Sequence, residues 1–374
     1  MARRQISKPR FYCDIFSYLK SIGKYNGTNT SGIDDPENKE KVFTMNPYQP
    51  YGFNLDDSGH ESRFRFWINQ EPTTTLQHIP EHELGKLLAY HNPVGTDGEH
   101  HSSGWYAGIL GHNLATLGAS AIHQRFFGMH NDNSLKYSDQ SQFREIINFE
   151  SGTLIENAGN GGKPKHDGFS LWEITEKNTE NFESRFSVAE FTFEKNDGSV
   201  VVNWGDNNFL KIGAVTTGIF FEPEHAFELS ATVSYSQEGI KRQTTVGGST
   251  ITNTNYLGVP NWGNQPAWTL QKTDARNYSA VTNRARRQWE VGLSFIADDN
   301  MFDKAGNANK FVNDSFTDGV EDAYQITDFD TSLSSMFKLT HMGSLPFIFC
   351  PDSQADDLEF ALCRITNKPS FKQV

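Results

Sequence analysis

Arg286-Arg287-Gln288-Trp289-Glu290-Val291-Gly292-Leu293-Ser294-Phe295 opens the stretch that decides the fold class of this 374-residue chain. Trp289, Val291, Leu293 and Phe295 alternate with Gln288, Glu290, Gly292 and Ser294, the period of two expected of a strand with one buried face. Further on come two more apolar runs, Leu345-Pro346-Phe347-Ile348-Phe349-Cys350-Pro351-Asp352 and Phe360-Ala361-Leu362-Cys363-Arg364-Ile365. Between them and the first strand, Phe329, Leu333, Met336, Phe337 and Leu339 recur at mixed three- and four-residue intervals. That spacing predicts a helix, with Asp328 or Asp330 placed to cap it. The end of the chain therefore reads strand, helix, strand, strand, and carries no catalytic motif.

Working outward, the same strand signature recurs upstream. Phe64, Phe66 and Ile68 share one face of a strand predicted over Arg63 to Ile68, and Trp105 to Leu110 is a short apolar run ended by Gly111-His112-Asn113. Further strands are expected at Phe169 to Ile174, Arg185 to Phe193, Val200 to Trp204, Ala214 to Phe221, Phe227 to Tyr235 and Thr244 to Asn253. Short strands separated by turn residues point to a β-sandwich. Pro80 to Tyr90 reads as one or two helical turns, Phe11 to Ile22 as either a short helix or an edge strand, and Gly159-Asn160-Gly161-Gly162 as a flexible loop. Composition agrees, since aromatic residues make up 13 % of the chain with 29 Phe, and rings favour strands, while 31 Gly and 14 Pro call for frequent turns.

The C-terminal run resembles the corresponding region of virion structural proteins of marine tailed bacteriophages, of the tail or baseplate type found in cyanophages. The shared features are the Arg-rich Trp strand, the Leu345-to-Asp352 phrase, the Phe360-to-Ile365 strand and the Phe371-Lys372-Gln373-Val374 ending. Upstream, Trp105 through Leu114 is similar to the family's Ala-x-Leu-Gly-His-Asn strand and turn. Lys211 to Ala214, Gly218 to Phe221, Glu238 to Lys241 and Gly247 to Trp262 follow a similar course. The resemblance implies that the Gly-His-Asn turn belongs to a jelly-roll of the galactose-binding kind. Sugar binding is not carried over with it, because a fold does not fix a function.

The expected fold class is thus all-β with minor α: a jelly-roll, galactose-binding-like β-sandwich followed by a smaller C-terminal β domain with one helix. The expected organisation is an N-terminal arm and polar loop over 1–40, the sandwich with loop insertions over 41–270, a linker over 271–285 and the small domain over 286–374.

Charge narrows the function. A formal net charge of −13 argues against nucleic acid as a partner, because holding phosphates needs a concentrated basic surface. The basic residues that do cluster are local: Arg3, Arg4, Lys8 and Arg10 at the start, and Arg284, Arg286 and Arg287 later. Arg3, Arg4 and Arg10 read as a solvated arm, or as an arm that docks on an acidic neighbouring subunit. Cys13, Cys350 and Cys363 lack C-x-x-C spacing, and their odd number suggests a reducing site of synthesis, with a Cys350–Cys363 disulfide left open. No apolar run approaches the roughly 18 residues that span a bilayer, so a soluble chain with no membrane insertion is expected.

Catalytic and cofactor motifs fail on named residues. Gly162-Lys163 resembles the end of a phosphate-binding loop, but Pro164 stands where a magnesium-ligating hydroxyl belongs and Asn157 where the first glycine belongs. Gly247-Gly248-Ser249-Thr250-Ile251 misses the nucleophile elbow at its last position. Among His78, His82, His91, His100, His101, His112, His123 and His130, Pro80 disturbs the helical face that would aim His78 and His82 at one metal, and His100 and His101 point apart on a strand. Asp298, Asp299 and Asp303, and Asp318, Glu321 and Asp322, lack the alternation of a calcium loop. A carboxylate pair for glycoside hydrolysis is defined by spatial separation, and no sequence feature selects one. The expectation is no catalytic residue, no metal and no cofactor.

The most distinctive surface candidate is Tyr256-Leu257-Gly258-Val259-Pro260-Asn261-Trp262-Gly263-Asn264-Gln265-Pro266-Ala267-Trp268. Prolines and glycines stiffen it, and Tyr256, Trp262 and Trp268 are costly to leave in water. They pack back over the sandwich, contact another subunit, or stack on a sugar. His112 and Asn113 join them as interface or glycan candidates. The function expected is a structural tail or baseplate protein of a virion, not an enzyme, that assembles as a symmetric oligomer with copies of itself and other virion proteins. Alternatives are a module binding a host-surface glycan or receptor, and a head decoration or collar protein.

Overall fold

The computed structural model describes residues 8–21, 30–31, 41–47, 51–53, 62–67, 105–119, 121–129, 135–137, 143–147, 149–151, 161–165, 167–174, 185–194, 210–228, 230–236, 241–253, 261–262, 265–266, 269–271, 286–294, 296, 333–355 and 358–367. The strand expected at Val200 to Trp204, the helical turns at Pro80 to Tyr90 and the capping Asp328 and Asp330 lie outside them.

Eight strands form the principal sheet: β1 Arg10–Asp14, β2 Trp105–His112, β3 Phe143–Ile147, β4 Gly168–Ile174, β5 Ala214–Phe221, β6 Thr269–Gln271, β7 Phe347–Cys350 and β8 Glu359–Cys363. Their order is β6-β8-β7-β1-β5-β2-β4-β3, and every neighbouring pair is antiparallel. A second antiparallel sheet contains Ser62–Trp67, Ala121–Met129, Phe149–Ser151, Gly161–Pro164 and Arg185–Glu194. From Trp105 to Phe221 the chain alternates between the two sheets. A sandwich requires such crossings, because each sheet must present one apolar face to a second layer. The architecture is all-β and sandwich-like, with two short helices described, α1 Ile15–Ser21 and α2 Leu333–Leu339.

The sheet joins stretches that the sequence reading keeps separate. β1 comes from the expected N-terminal arm, β7 and β8 from the expected C-terminal domain, and the boundaries at 40 and 285 do not divide sheets. β1 is not an edge strand: it pairs with β5 on one side and β7 on the other. Phe11-Tyr12-Cys13 and Phe347-Ile348-Phe349-Cys350 are apolar on both faces and buried on both, as a strand interior to a covered sheet must be.

Register sorts these residues into two layers. Tyr12 lies opposite Phe220 and Ile348, and with Tyr106, Leu110, Phe169, Leu171, Phe360 and Leu362 they form one core cluster. On the other face the Phe11 ring lies 5.1 Å from Phe349, 6.1 Å from Phe347 and 6.2 Å from Phe221, and Trp289 meets Phe349 edge-on at 5.4 Å. Burying each such ring stabilises the fold by roughly 2 kcal/mol. The core volume thus comes from rings, as the composition led one to expect.

Three local readings change. Thr244 to Asn253 is not one strand: it holds the end of the strand Lys241–Thr244, a turn at which Gly248 takes φ +82°, and the strand Thr250–Asn253 that pairs back on the first. Gly161 and Gly162, read as loop, belong to a strand paired on both sides. The alternation read from Trp289 to Phe295 yields a described strand only over Arg286–Glu290, paired with Thr232–Ser236. Phe227, expected in that partner strand, precedes it.

The cysteines are free thiols. Register sets Cys363 opposite Phe347, three residues along from Cys350, roughly 10 Å away at strand rise and beyond disulfide reach. Burial pushes the Cys350 and Cys363 thiols up to about 12 and raises Cys13 further. At pH 8 about one molecule in 10⁴ then carries a thiolate at Cys350. Native protein is expected to take up at most one equivalent of thiol-reactive dye over minutes, at the half-buried Cys363, and three in denaturant. Rapid native labelling of Cys13 or Cys350 contradicts their burial.

Candidate functional site

Strand parity places Arg10, Tyr12 and Asp14 on the same face of β1, the face that carries the core cluster. There they organise two polar networks. Arg10 Nη1 donates to both oxygens of Glu173 on β4, at 2.9 and 2.8 Å, and Arg10 Nε donates to Glu222 just past β5. The Tyr12 hydroxyl donates to Glu173 Oε1 at 2.5 Å, and the guanidinium lies 5.0 Å from the centre of the Phe220 ring. Glu173 is 1 % exposed, so the Arg10 guanidinium and the Tyr12 phenol both meet a carboxylate inside the core. Burial opposes the Arg10 charge, but Glu173, Tyr12 and Glu222 more than offset it and raise its pKa. The Tyr12 phenol is raised by burial first and by Glu173 second.

The second network centres on Asp14, at the start of α1. Its Oδ2 accepts from the Ser17 amide at 2.8 Å and from the Ser17 hydroxyl at 2.5 Å, the arrangement of an N-cap. Its Oδ1 accepts from Thr216 Oγ1 at 3.0 Å and from the Thr217 amide at 3.3 Å, which locks the helix start onto β5. Thr216 Oγ1 lies 2.7 Å from the Tyr106 hydroxyl, which therefore donates to it. The Tyr106 and Tyr12 rings meet edge-on at 5.2 Å and separate the two networks.

Burial, partly offset by the bonds from Ser17, Thr216 and Thr217, pushes the Asp14 carboxyl up to about 6. Folding therefore favours its protonated form. The stability this gives is full below the unfolded carboxylate range and is lost as pH rises through about 6. The difference corresponds to about 3 kcal/mol. Asp14→Asn keeps the cap and removes the titration. The stability difference between variant and wild type, from urea unfolding at pH 4 and pH 7, is expected to move by about 2 kcal/mol in the variant's favour at the higher pH, pH 4 lying within the unfolded carboxylate range. Parallel pH profiles for the two proteins contradict the assignment.

A general acid or base must reach the proton it moves. Glu173 and Asp14 lie beneath the surface, 1 % and 2 % exposed, and their bonds go to the strands around them. The arrangement orients β1 in the middle of the sheet and fixes α1 on its end.

The residues singled out from sequence fare differently. Arg10 is not a solvated arm residue, because its charge is held by Glu173 and Glu222. His112 is 1 % exposed. Its Nδ1 accepts from the Leu114 amide at 3.3 Å, so the proton sits on Nε2, which donates to Ser170 Oγ at 2.7 Å. Asn113 Oδ1 accepts from the Lys211 amide at 2.7 Å. The Gly-His-Asn turn thus joins β2 to β4 and to the segment leading into β5, and the buried imidazole offers no surface to a ligand. Trp262 lies in the short hairpin of Asn261–Trp262 with Gln265–Pro266. Arg3, Arg4, Tyr256 and Trp268 fall outside the described residues.

What lies on the surface is a set of two-stranded elements. Arg286–Glu290 pairs with Thr232–Ser236, Arg287 forms an ion pair with Glu359 and lies 4.9 Å from the Trp289 ring, and Val233 and Val291 are exposed nearby. The hairpin Lys241–Thr244 with Thr250–Asn253 exposes Val246 and Ile251. Among the described residues no three His, Cys, Asp or Glu side chains gather as a metal site, and no helix is long and apolar enough to cross a membrane.

Sheet, polar networks and exposed ribbons define an all-β protein whose described surface is marked by projecting strand pairs. No protein-family model, curated protein or solved structure matches the chain.

Proposed function

We propose that this chain is a structural component of a tailed-phage virion, of the tail or baseplate type, that assembles as a symmetric oligomer and connects neighbouring virion proteins. The observation that carries the assembly reading is the exposure of Val233 and Ile251 on two-stranded elements, with Val246 in a hairpin turn and Val291 just past a strand, since apolar side chains in water gain most from burial against another subunit. The virion assignment rests on the resemblance of the C-terminal run and of the strand and turn at Trp105 to Leu114. It carries with it the jelly-roll of the galactose-binding kind. Assembly by symmetric burial of surface needs no turnover and no cofactor. Electron microscopy of the purified chain is expected to show closed rings or stacked discs. A uniformly monomeric population counts against the proposal.

A carbohydrate- or receptor-binding module is the second reading, favoured by the tight hairpin that carries Trp262. With the His112 ring buried, such a site would rest on the aromatic loop alone. Glycan-array binding that disappears in Trp262→Ala supports this reading, and its persistence in that variant removes it.

A further inference from the structure

The hairpin Lys241–Asn253 is paired with itself alone among the described residues. Residues 242 to 252 are all exposed, and because side chains alternate across a strand, neither face of the hairpin is covered. An isolated two-stranded hairpin is marginal in water. This one is closed by its turn: the Thr245 amide donates to the Ser249 carbonyl at 2.8 Å, the Gly248 amide to the Thr245 carbonyl at 2.9 Å and the Ser249 amide to Thr245 Oγ1 at 3.1 Å. Gly248, at φ +82°, supplies the left-handed position that such a three-residue loop needs. Six of its thirteen residues are β-branched, Thr244, Thr245, Val246, Thr250, Ile251 and Thr252, although no core lies beneath it among the described residues.

Charge says what covers it. The 35 residues from Gly239 to Thr273 contain Lys241, Arg242 and Lys272 and no acidic residue, whereas the chain's average of 46 in 374 would place about four there. The rest of the chain then holds 30 basic and 46 acidic residues, a net of −16. The hairpin is a cationic and apolar projection on an acidic body, and the surface complementary to it is that of another copy.

We infer that the hairpin Lys241–Asn253 is an assembly arm that docks on a carboxylate-bearing face of a second copy of this chain. This deepens the assembly reading above and rests on it. Exchanged reciprocally by two copies, the contact makes an isologous dimer; repeated head to tail it is heterologous, and it closes a ring when successive rotations sum to a full turn. Arg242 supplies long-range attraction, screened beyond about 10 Å at 0.1 M salt, while Val246 and Ile251 lose their water on docking.

Sedimentation velocity on the full chain tests this, from about 1 to 100 μM, a range that brackets interfaces of ordinary strength. Wild type is expected to self-associate, less so in 0.5 M NaCl. Arg242→Glu with Val246→Asp is expected to weaken association by at least about ten-fold, as loss of a central contact does, while Arg242→Lys stays close to wild type. Unchanged circular dichroism shows that each variant is folded. Wild type that assembles while the double variant assembles equally well overturns the arm and leaves the assembly reading in place. Wild type that stays monomeric throughout overturns both. Association restored only by adding another acidic protein or a sulfated glycan overturns the choice of a second copy as occupant.

Discussion

Arg10→Ala is expected to lower the unfolding free energy by about 3 to 5 kcal/mol, the usual cost of removing one partner from a buried ion pair. The variant takes the Arg10 guanidinium away from the buried Glu173, which keeps the Tyr12 phenol as a donor, and Glu222 loses the same guanidinium. Equilibrium unfolding in urea reads this as a lower midpoint with an unchanged slope. The pair itself contributes little net stability, because taking both charges out of water offsets most of their attraction. Arg10→Met combined with Glu173→Leu and Tyr12→Phe, which also removes the buried phenol that would lose its acceptor, is therefore expected to recover most of the loss, and Tyr12→Phe on its own to cost about 1.5 to 3 kcal/mol, as a bond to a charged group does. A single Arg10→Ala variant within about 1 kcal/mol of wild type would mean that Glu173 is not committed to Arg10.

This network was not legible in the sequence. Arg10 stands 163 residues from Glu173 and 212 from Glu222, and a basic cluster at a chain start reads as solvated whenever its partners are that distant. The signal was present in the next four residues: Arg10, Tyr12 and Asp14 alternate with Phe11 and Cys13, which is strand periodicity with a polar set on the buried face. By contrast, Ala214–Phe221, a nearly continuous apolar and β-branched run, and Gly168–Ile174, rich in large apolar side chains, were readable almost to the residue, because such runs bounded by turns have few other structures open to them. The hairpin at Gly248 was misread for a related reason. Its flanks are both β-branched, so propensity alone runs straight through the turn, and only the Gly247-Gly248 pair marks the reversal. His112 was singled out as an interface or glycan candidate, yet strand parity puts it on the inner side of β2, where a ring bonded to Ser170 and to the Leu114 amide serves as a brace.

Gly213→Ala is expected to cost about 3 kcal/mol, at the upper end for an overpacked site, and Gly213→Val to prevent folding at ordinary temperature. A methyl at Gly213 would lie 2.7 Å from both the Cα and the carbonyl oxygen of Pro47, and Gly111, at φ +68°, faces the same oxygen at 2.6 Å. These neighbours are backbone, so no rotamer change relieves them. The Gly213 amide donates to the Leu110 carbonyl at 2.9 Å, which holds β2 and the start of β5 together at this crossing. Three backbones therefore converge beside His112 and Asn113, and the Gly-His-Asn turn keeps them there. Gly118 separates crowding from conformation: it too has positive φ, +75°, but nothing lies within 4 Å of its missing side chain. Gly118→Ala is expected to cost only about 1 kcal/mol, the penalty of the left-handed region. If thermal unfolding gives the two alanine variants equal losses, close packing at Pro47 is not what requires glycine at 213, and the turn is held by its hydrogen bonds alone.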